Sequence, residues 1–142
     1  MSAFLADTNV VSELTKRHPH PQAVNWISQH PDAYISVLTL GELARGAFLL
    51  QARDPFGARR LASWVEQLHE SYRNRILCID EEVMEHWAAI PTTRTLPSMD
   101  SLLAATALAN DLTVATRNVR DFAGTGVRVV SPFEAEEPAS AP

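Results

Sequence analysis

Four acidic residues in this chain fall where chemistry, more than folding, explains them. Asp7 closes the short apolar run that opens FLADTNVVSEL (4–14), Glu42 sits in LTLGELARG (38–46), Asp100 precedes LLAATALA, and Asp121 lies in TRNVRDF (116–122). A carboxylate ending a buried strand is desolvated with no evident structural gain. Carboxylates gathered at one place repel and raise one another's pKa unless something compensates. A divalent cation is the natural compensator, and oxygen-only ligands without His or Cys select a hard ion, Mg2+ or Mn2+. Three or four carboxylates holding one or two such ions can stabilise an attacking water and a leaving oxygen during phosphodiester cleavage.

Taken singly, each acid also has an ordinary role open to it. Glu42 can serve the helix dipole or pair with Arg45 at i+3. Asp100 can cap its helix. Asp121 can cap the turn before Phe122 or pair with Arg117 or Arg120. Asp7 resists such an explanation most, and the joint order of the four is more specific than any member.

The elements that must position these groups alternate between strand and helix. Residues 2–7 predict a buried strand. Thr8 or Asn9 then caps a helix over about 9–16, which ends at the proline pair of His18-Pro19-His20-Pro21. A second helix follows at 21–29. YISVLTL predicts a strand at 34–40, with Thr39 capping a helix from Leu40 to about Ala52. Leu61, Trp64, Val65, Leu68 and Tyr72 share one face of a helix over 55–75. Strand 75–80, helix 81–90, a loop punctuated by Pro91 and Pro97, helix 100–110 and strands 112–116 and 127–131 complete the pattern. Such alternation argues for an α/β domain, a parallel sheet wrapped by helices, whose ligand crevice lies beyond the carboxyl ends of the strands. If strands one, two and four are neighbours, the acids converge on one rim.

With 142 residues, 46% of them hydrophobic, the chain predicts a single domain over 1–134 and an acidic, Pro/Ala-rich tail over 135–142 that is expected to be disordered. No apolar run approaches the ~18 residues of a spanning helix, and the N-terminus does not read as a targeting segment. A cytoplasmic protein, with no membrane partner, is the expectation. The single cysteine, Cys78, excludes an internal disulfide framework and a Cys-based zinc site; it reads as a small buried hydrophobe. The net charge of −5 makes a polyanion partner unexpected unless positive charge is supplied locally. Lys16 is the only lysine. His18, His20, His30, His69 and His86 are scattered and read as solvated, which disfavours a histidine-based nuclease.

ADTNVVSEL (6–14), LTLGELARG (38–46) and MDSLLAATALANDLTVATRNVRDFAGTGVRVVSPFE (99–134) together resemble PIN-domain ribonucleases, specifically the VapC toxins of bacterial type II toxin–antitoxin pairs and the related FitB-like proteins. The resemblance implies a three-layer PIN fold, an acidic cluster binding Mg2+ or Mn2+, and endonucleolytic cleavage of RNA. By position, Asp7, Glu42 and Asp100 match the three core acids. The fourth acid of the family stands either at the position of Asn118 or three residues later, so Asp121 is the better candidate. Thr8, Asn9 and Ser12 match polar residues that support the site, and Thr116 and Asn118 match those lining it after strand four. Asp7, Asp100 and Asp121 are the implied metal ligands. Arg45, Arg94, Arg117 and Arg120 are candidates for the RNA backbone. A cognate small DNA-binding antitoxin and a homodimer are also implied. One departure is a segment between Trp87 and Asp100 that is shorter than in many relatives.

Two other readings remain open at this level. One is a phosphotransfer domain in which Asp7 is phosphorylated; similarity to haloacid-dehalogenase-like phosphatases would need an acid at position 9, which is Asn, and similarity to receiver domains would need a lysine late in the chain. The other is a non-catalytic PIN-like module that binds RNA or protein.

Overall fold

The computed structural model describes residues 3–91 and 97–134; residues 92–96 of the 87–100 connection, Arg94 among them, and the 135–142 tail lie outside them. Among the described residues the strands are β1 (Phe4–Ala6), β2 (Ile35–Ser36), β3 (Ile76–Leu77), β4 (Thr113–Ala115) and β5 (Val129–Val130). All pairings are parallel. Leu5 lies opposite Val114 between β1 and β4, and Val114 opposite Val129 between β4 and β5. Strand β2 pairs with β3, and a parallel bridge from Leu5 to Tyr34 joins the two groups, so the strands run β3-β2-β1-β4-β5. Strand β1 is therefore central, with β2 and β4 on either side as the acid argument requires.

Successive strand residues face opposite sides of a sheet, and Leu5 and Ala6 divide the core accordingly. Leu5 packs with Leu103, Ala104, Ala107, Leu112, Val114 and Phe122, and Ala6 packs with Val11, Ile35, Leu43 and Leu68. The first group belongs to α6 (Ser98–Ala109), which is packed on α5 (Glu81–Ala88). Its fully buried Ala104, Ala105 and Ala107 let that helix lie close against the sheet. The second group belongs to α1 (Thr8–Val11) and the hairpin of α3 (Val37–Leu50) and α4 (Pro55–Ser71). Helix α2 (Pro21–Gln29) begins on its proline, as the sequence predicts. These are the three layers of the expected fold.

Local differences from the sequence reading have identifiable causes. Asp7, not Thr8 or Asn9, caps α1, because its carboxylate accepts the Thr8 N–H. The helix expected over 9–16 is α1 followed by a 3-10 turn, Ser12–Thr15. Strand β2 stops at Ser36, whose fully buried hydroxyl caps α3 by accepting the Leu38 N–H at 3.0 Å. Thr39 is consequently inside that helix and is not its cap, despite the strand-forming look of YISVLTL. The earlier start moves Glu42 from the first turn to the second. Asp100 does not cap α6; it is the third residue, behind Pro97. Cys78, expected in the core, is exposed, because the edge strand β3 ends at Leu77 before it. His30 is not simply solvated: its ring stacks on Trp26 at 4.2 Å and its Nδ1 lies 2.7 Å from the Trp26 carbonyl.

The cap at Ser36 sets where α3 starts and hence where Glu42 stands. Ser36→Ala is expected to cost about 1 kcal/mol of folding stability, read as a lower midpoint in urea denaturation.

Candidate active site

Strand β1 delivers Asp7 to the carboxyl edge of the sheet, where its own N–H still bonds to the Ala115 carbonyl of β4 at 2.9 Å. The side chain is buried, with 8% of the residue's surface exposed. Its Oδ1 accepts the Thr8 N–H at 2.7 Å and its Oδ2 accepts the Thr116 hydroxyl at 2.8 Å. The Asn9 amide reaches Oδ2 at 3.4 Å and Thr116 Oγ1 at 3.2 Å. Thr116 Oγ1 also accepts the Asn118 N–H, so one hydroxyl proton is committed to Asp7 while its lone pairs are used on the other side. Asn9 Oδ1 in turn accepts the Arg117 N–H at 3.1 Å. The end of β1 and the end of β4 are thus tied together through the carboxylate.

Glu42 is presented from α3. Thr8 donates its hydroxyl to Glu42 Oε1 at 3.0 Å and lies 3.0 Å from the hydroxyl of the buried Thr39. Glu42 pairs with Thr8, where the sequence allowed an ion pair with Arg45; Arg45 stands exposed on the same helix. Asp100 comes from the first turn of α6 and Asp121 from a 3-10 turn, Val119–Phe122, whose Asp121 N–H bonds to the Asn118 carbonyl.

Electrostatics joins the four groups. Burial pushes the Asp7 carboxyl above its ordinary 3.8; hydrogen bonds from Thr116 and Thr8 oppose the rise, and the charges of Glu42 and Asp121 add to it. Asp100 is raised by burial first, then by the charges of Asp7 and Asp121. Both feel Asp121, whereas Asn118 is exposed and brings only an uncharged amide. Among the described residues no three acid, histidine or cysteine side chains stand close enough to hold one ion by themselves. Mg2+ keeps several waters and is bound through one or two carboxylates. The all-oxygen donor set, with the buried Asp7 and its charged neighbours, fits a hard cation held partly through water.

Comparison with known proteins agrees with the architecture. The family model described as PIN domain matches residues 4–127. The chain belongs to the PIN-domain family. This PIN domain is 32% identical to Toxin FitB of Neisseria gonorrhoeae over 92% of its own length and 98% of that protein. It is 30% identical to VapC ribonuclease Y4jK of Sinorhizobium fredii, covering 92% and 98% of the two chains. A solved structure of FitAB bound to an IR36 DNA fragment superposes with a TM-score of 0.86 at 31% identity, covering 94% of this chain and 98% of that one.

Of the residues singled out in the sequence, Asp7, Thr8, Asn9, Thr116 and Glu42 form one hydrogen-bonded network. Asp100 and Asp121 join it through charge. Ser12 does not: its carbonyl accepts the Thr15 hydroxyl and its N–H ends α1, while its side chain makes no hydrogen bond to the acids. Its position at the C-terminal end of α1 gives it a backbone role. Arg117, Asn118, Arg120 and Asp121 line a common groove, and Arg94 lies outside the described residues. Thr39 was missed because it read as a cap. Glu13 was missed too: it is 2% exposed, paired with Lys16, and accepts the His20 N–H at 3.0 Å. The i,i+3 spacing of Glu13 and the sole lysine was its available signal. Among the described residues no histidine hydrogen-bonds to Asp7, Glu42 or Asp100.

The raised Asp100 pKa fixes a sign for stability. Between 3.8 and the folded value the native state holds more protons than the unfolded chain, so this group's contribution falls as pH rises through that window. In EDTA, wild type should therefore lose stability relative to Asp100→Asn between low and neutral pH, as followed by thermal unfolding. A difference independent of pH would contradict the assignment.

Proposed function

We propose that this PIN domain is a Mg2+- or Mn2+-dependent endoribonuclease and the toxin of a type II toxin–antitoxin pair. The observation that carries the reading is the buried Asp7 carboxylate, held by Thr8, Asn9 and Thr116 among three further acids. Asp7, Asp100 and Asp121 would hold the metal, with Glu42 completing the charge. When bound, the ion supplies a lowered water pKa and charge stabilisation at phosphorus. Thr116 and the Thr8 N–H fix the direction of the Asp7 oxygens, and Thr8 fixes Glu42, so the donor set is oriented before substrate arrives. Arg45, Arg94, Arg117 and Arg120 are assigned to the RNA backbone.

The toxin role is supported by the names of the relatives, a toxin and a VapC ribonuclease. A small DNA-binding antitoxin is the proposed protein partner, in keeping with a fold neighbour solved as a FitAB–DNA complex. A homodimer and a cytoplasmic location complete the proposal; among the described residues no helix is long and apolar enough to cross a membrane. The aspartyl-phosphate alternative is disfavoured because position 9 is Asn and the sole lysine, Lys16, is paired with Glu13.

Purified wild type should cleave single-stranded RNA in Mg2+ or Mn2+ and stop in EDTA. Asp7→Asn and Asp100→Asn should each lose about 100-fold or more, with circular dichroism unchanged. Thr116→Val should lose about 10- to 100-fold, the effect of removing a group that orients a ligand. Equal cleavage by wild type and the Asn variants would overturn the nuclease reading and leave the non-catalytic one.

A further inference from the structure

Arginines in this chain divide by what their guanidinium groups are bonded to. Arg75 donates to the carbonyls of Ala33 and Ser71, Arg128 to Asp111, and Arg73 pairs with Glu70. These have structural partners. Arg117 is different: its backbone N–H is fixed by Asn9, but its guanidinium meets no hydrogen-bond acceptor among the described residues. Its carbon instead lies 4.0 Å from the centre of the Phe133 ring.

A guanidinium held over an aromatic ring spends none of its N–H groups on that contact and keeps them available for a planar, bidentate partner. The ring is itself supported. His20 meets Phe133 edge-on at 5.2 Å, and the His20 N–H is held by the buried Glu13 carboxylate. The negative charge of Glu13 reaches Arg117. Arg117 also borders a groove of about 450 Å3 shared with Asn118, Val119, Arg120, Asp121 and Glu134. One residue before it, Thr116 holds the Asp7 carboxylate. The backbone of Arg117 is thus fixed by the network that fixes Asp7, and its guanidinium, held over Phe133, borders the groove that Asp121 also lines.

We infer that Arg117 binds an RNA phosphate flanking the scissile one, and that Phe133 is the positioning residue that holds Arg117 for it. This rests on the reading of the site as RNA-cleaving. Guanidinium stacking reduces the rotamer freedom lost on binding, so Phe133 acts on affinity for substrate and leaves the chemical step unchanged.

The test is steady-state cleavage of a fluorophore- and quencher-labelled single-stranded RNA, with anisotropy of the same labelled RNA bound to each variant in an Asp7→Asn background. Arg117→Ala should raise KM about tenfold or more with kcat retained. The slope of log KM against log salt should fall by about 0.7, one phosphate contact on a single strand. Phe133→Leu should raise KM about threefold when Arg117 is present and add nothing in the Arg117→Ala background, while Phe133→Tyr keeps the wild-type KM. The same factor from Phe133→Leu in both backgrounds would overturn the positioning role. Unchanged KM, anisotropy and salt slope in Arg117→Ala would overturn the inference while cleavage by wild type still stood. Absence of cleavage by every protein, with anisotropy lost in Arg117→Ala, would instead sink the nuclease reading and leave the phosphate site.

Discussion

A single hydroxyl proton links the two strands that make the site. Thr116, fully buried just beyond β4, donates to Asp7 just beyond β1, and the register that pairs Ala6 with Ala115 places them side by side. A desolvated carboxylate is costly unless it is hydrogen-bonded. Here the Thr8 N–H and the Thr116 hydroxyl offset part of that cost, yet burial and the nearby acids still leave the group harder to ionise than a free one. The residual penalty is an electrostatic demand for positive charge at this edge of the sheet. On the nuclease reading proposed for this PIN domain, that demand would be met by a cation and a phosphodiester.

The parallel topology makes this arrangement possible. Strand β1 lies between β2 and β4, so the elements that follow those strands all open on the same rim. Helix α3 brings Glu42, Thr116 follows β4, and the 3-10 turn after it brings Asp121. Helix α6 adds Asp100 from the layer packed on the Leu5 side. Buried small residues keep α6 close to the sheet. On the proposed reading a negatively charged chain would handle a polyanion through local positive charge, a cation among the acids and Arg117 beside the groove that Asp121 lines.

Much of this was legible in the sequence because the signals were local. Pro21 and Pro55 mark helix starts through their fixed backbone angle, and the apolar run before Asp7 marks a central strand. The boundary between β2 and α3 was not legible, since the β-branched and aromatic residues of YISVLTL favour a strand while the Ser36 hydroxyl caps a helix. That choice concealed Thr39, which serves the site from inside α3. Asp7 as its own helix cap was equally hidden, because Thr8 and Asn9 are the usual capping types. Ser12 stands where α1 ends, and its side chain makes no hydrogen bond to the acids, a detail set by where the helix stops. Phe133 carried no signal at all, as its contact with Arg117 spans two loops that meet only in the folded chain.

The central proposal, that Asp7, Asp100 and Asp121 hold a divalent cation with Glu42 completing the charge, is tested most directly by Mn2+-dependent thermal stabilisation. Wild type and Asn118→Ala should show the same saturable rise in Tm, while Asp121→Asn should need far more Mn2+ to reach it. A wild-type Tm that does not respond to Mn2+, or an identical response in all three proteins, would contradict the account.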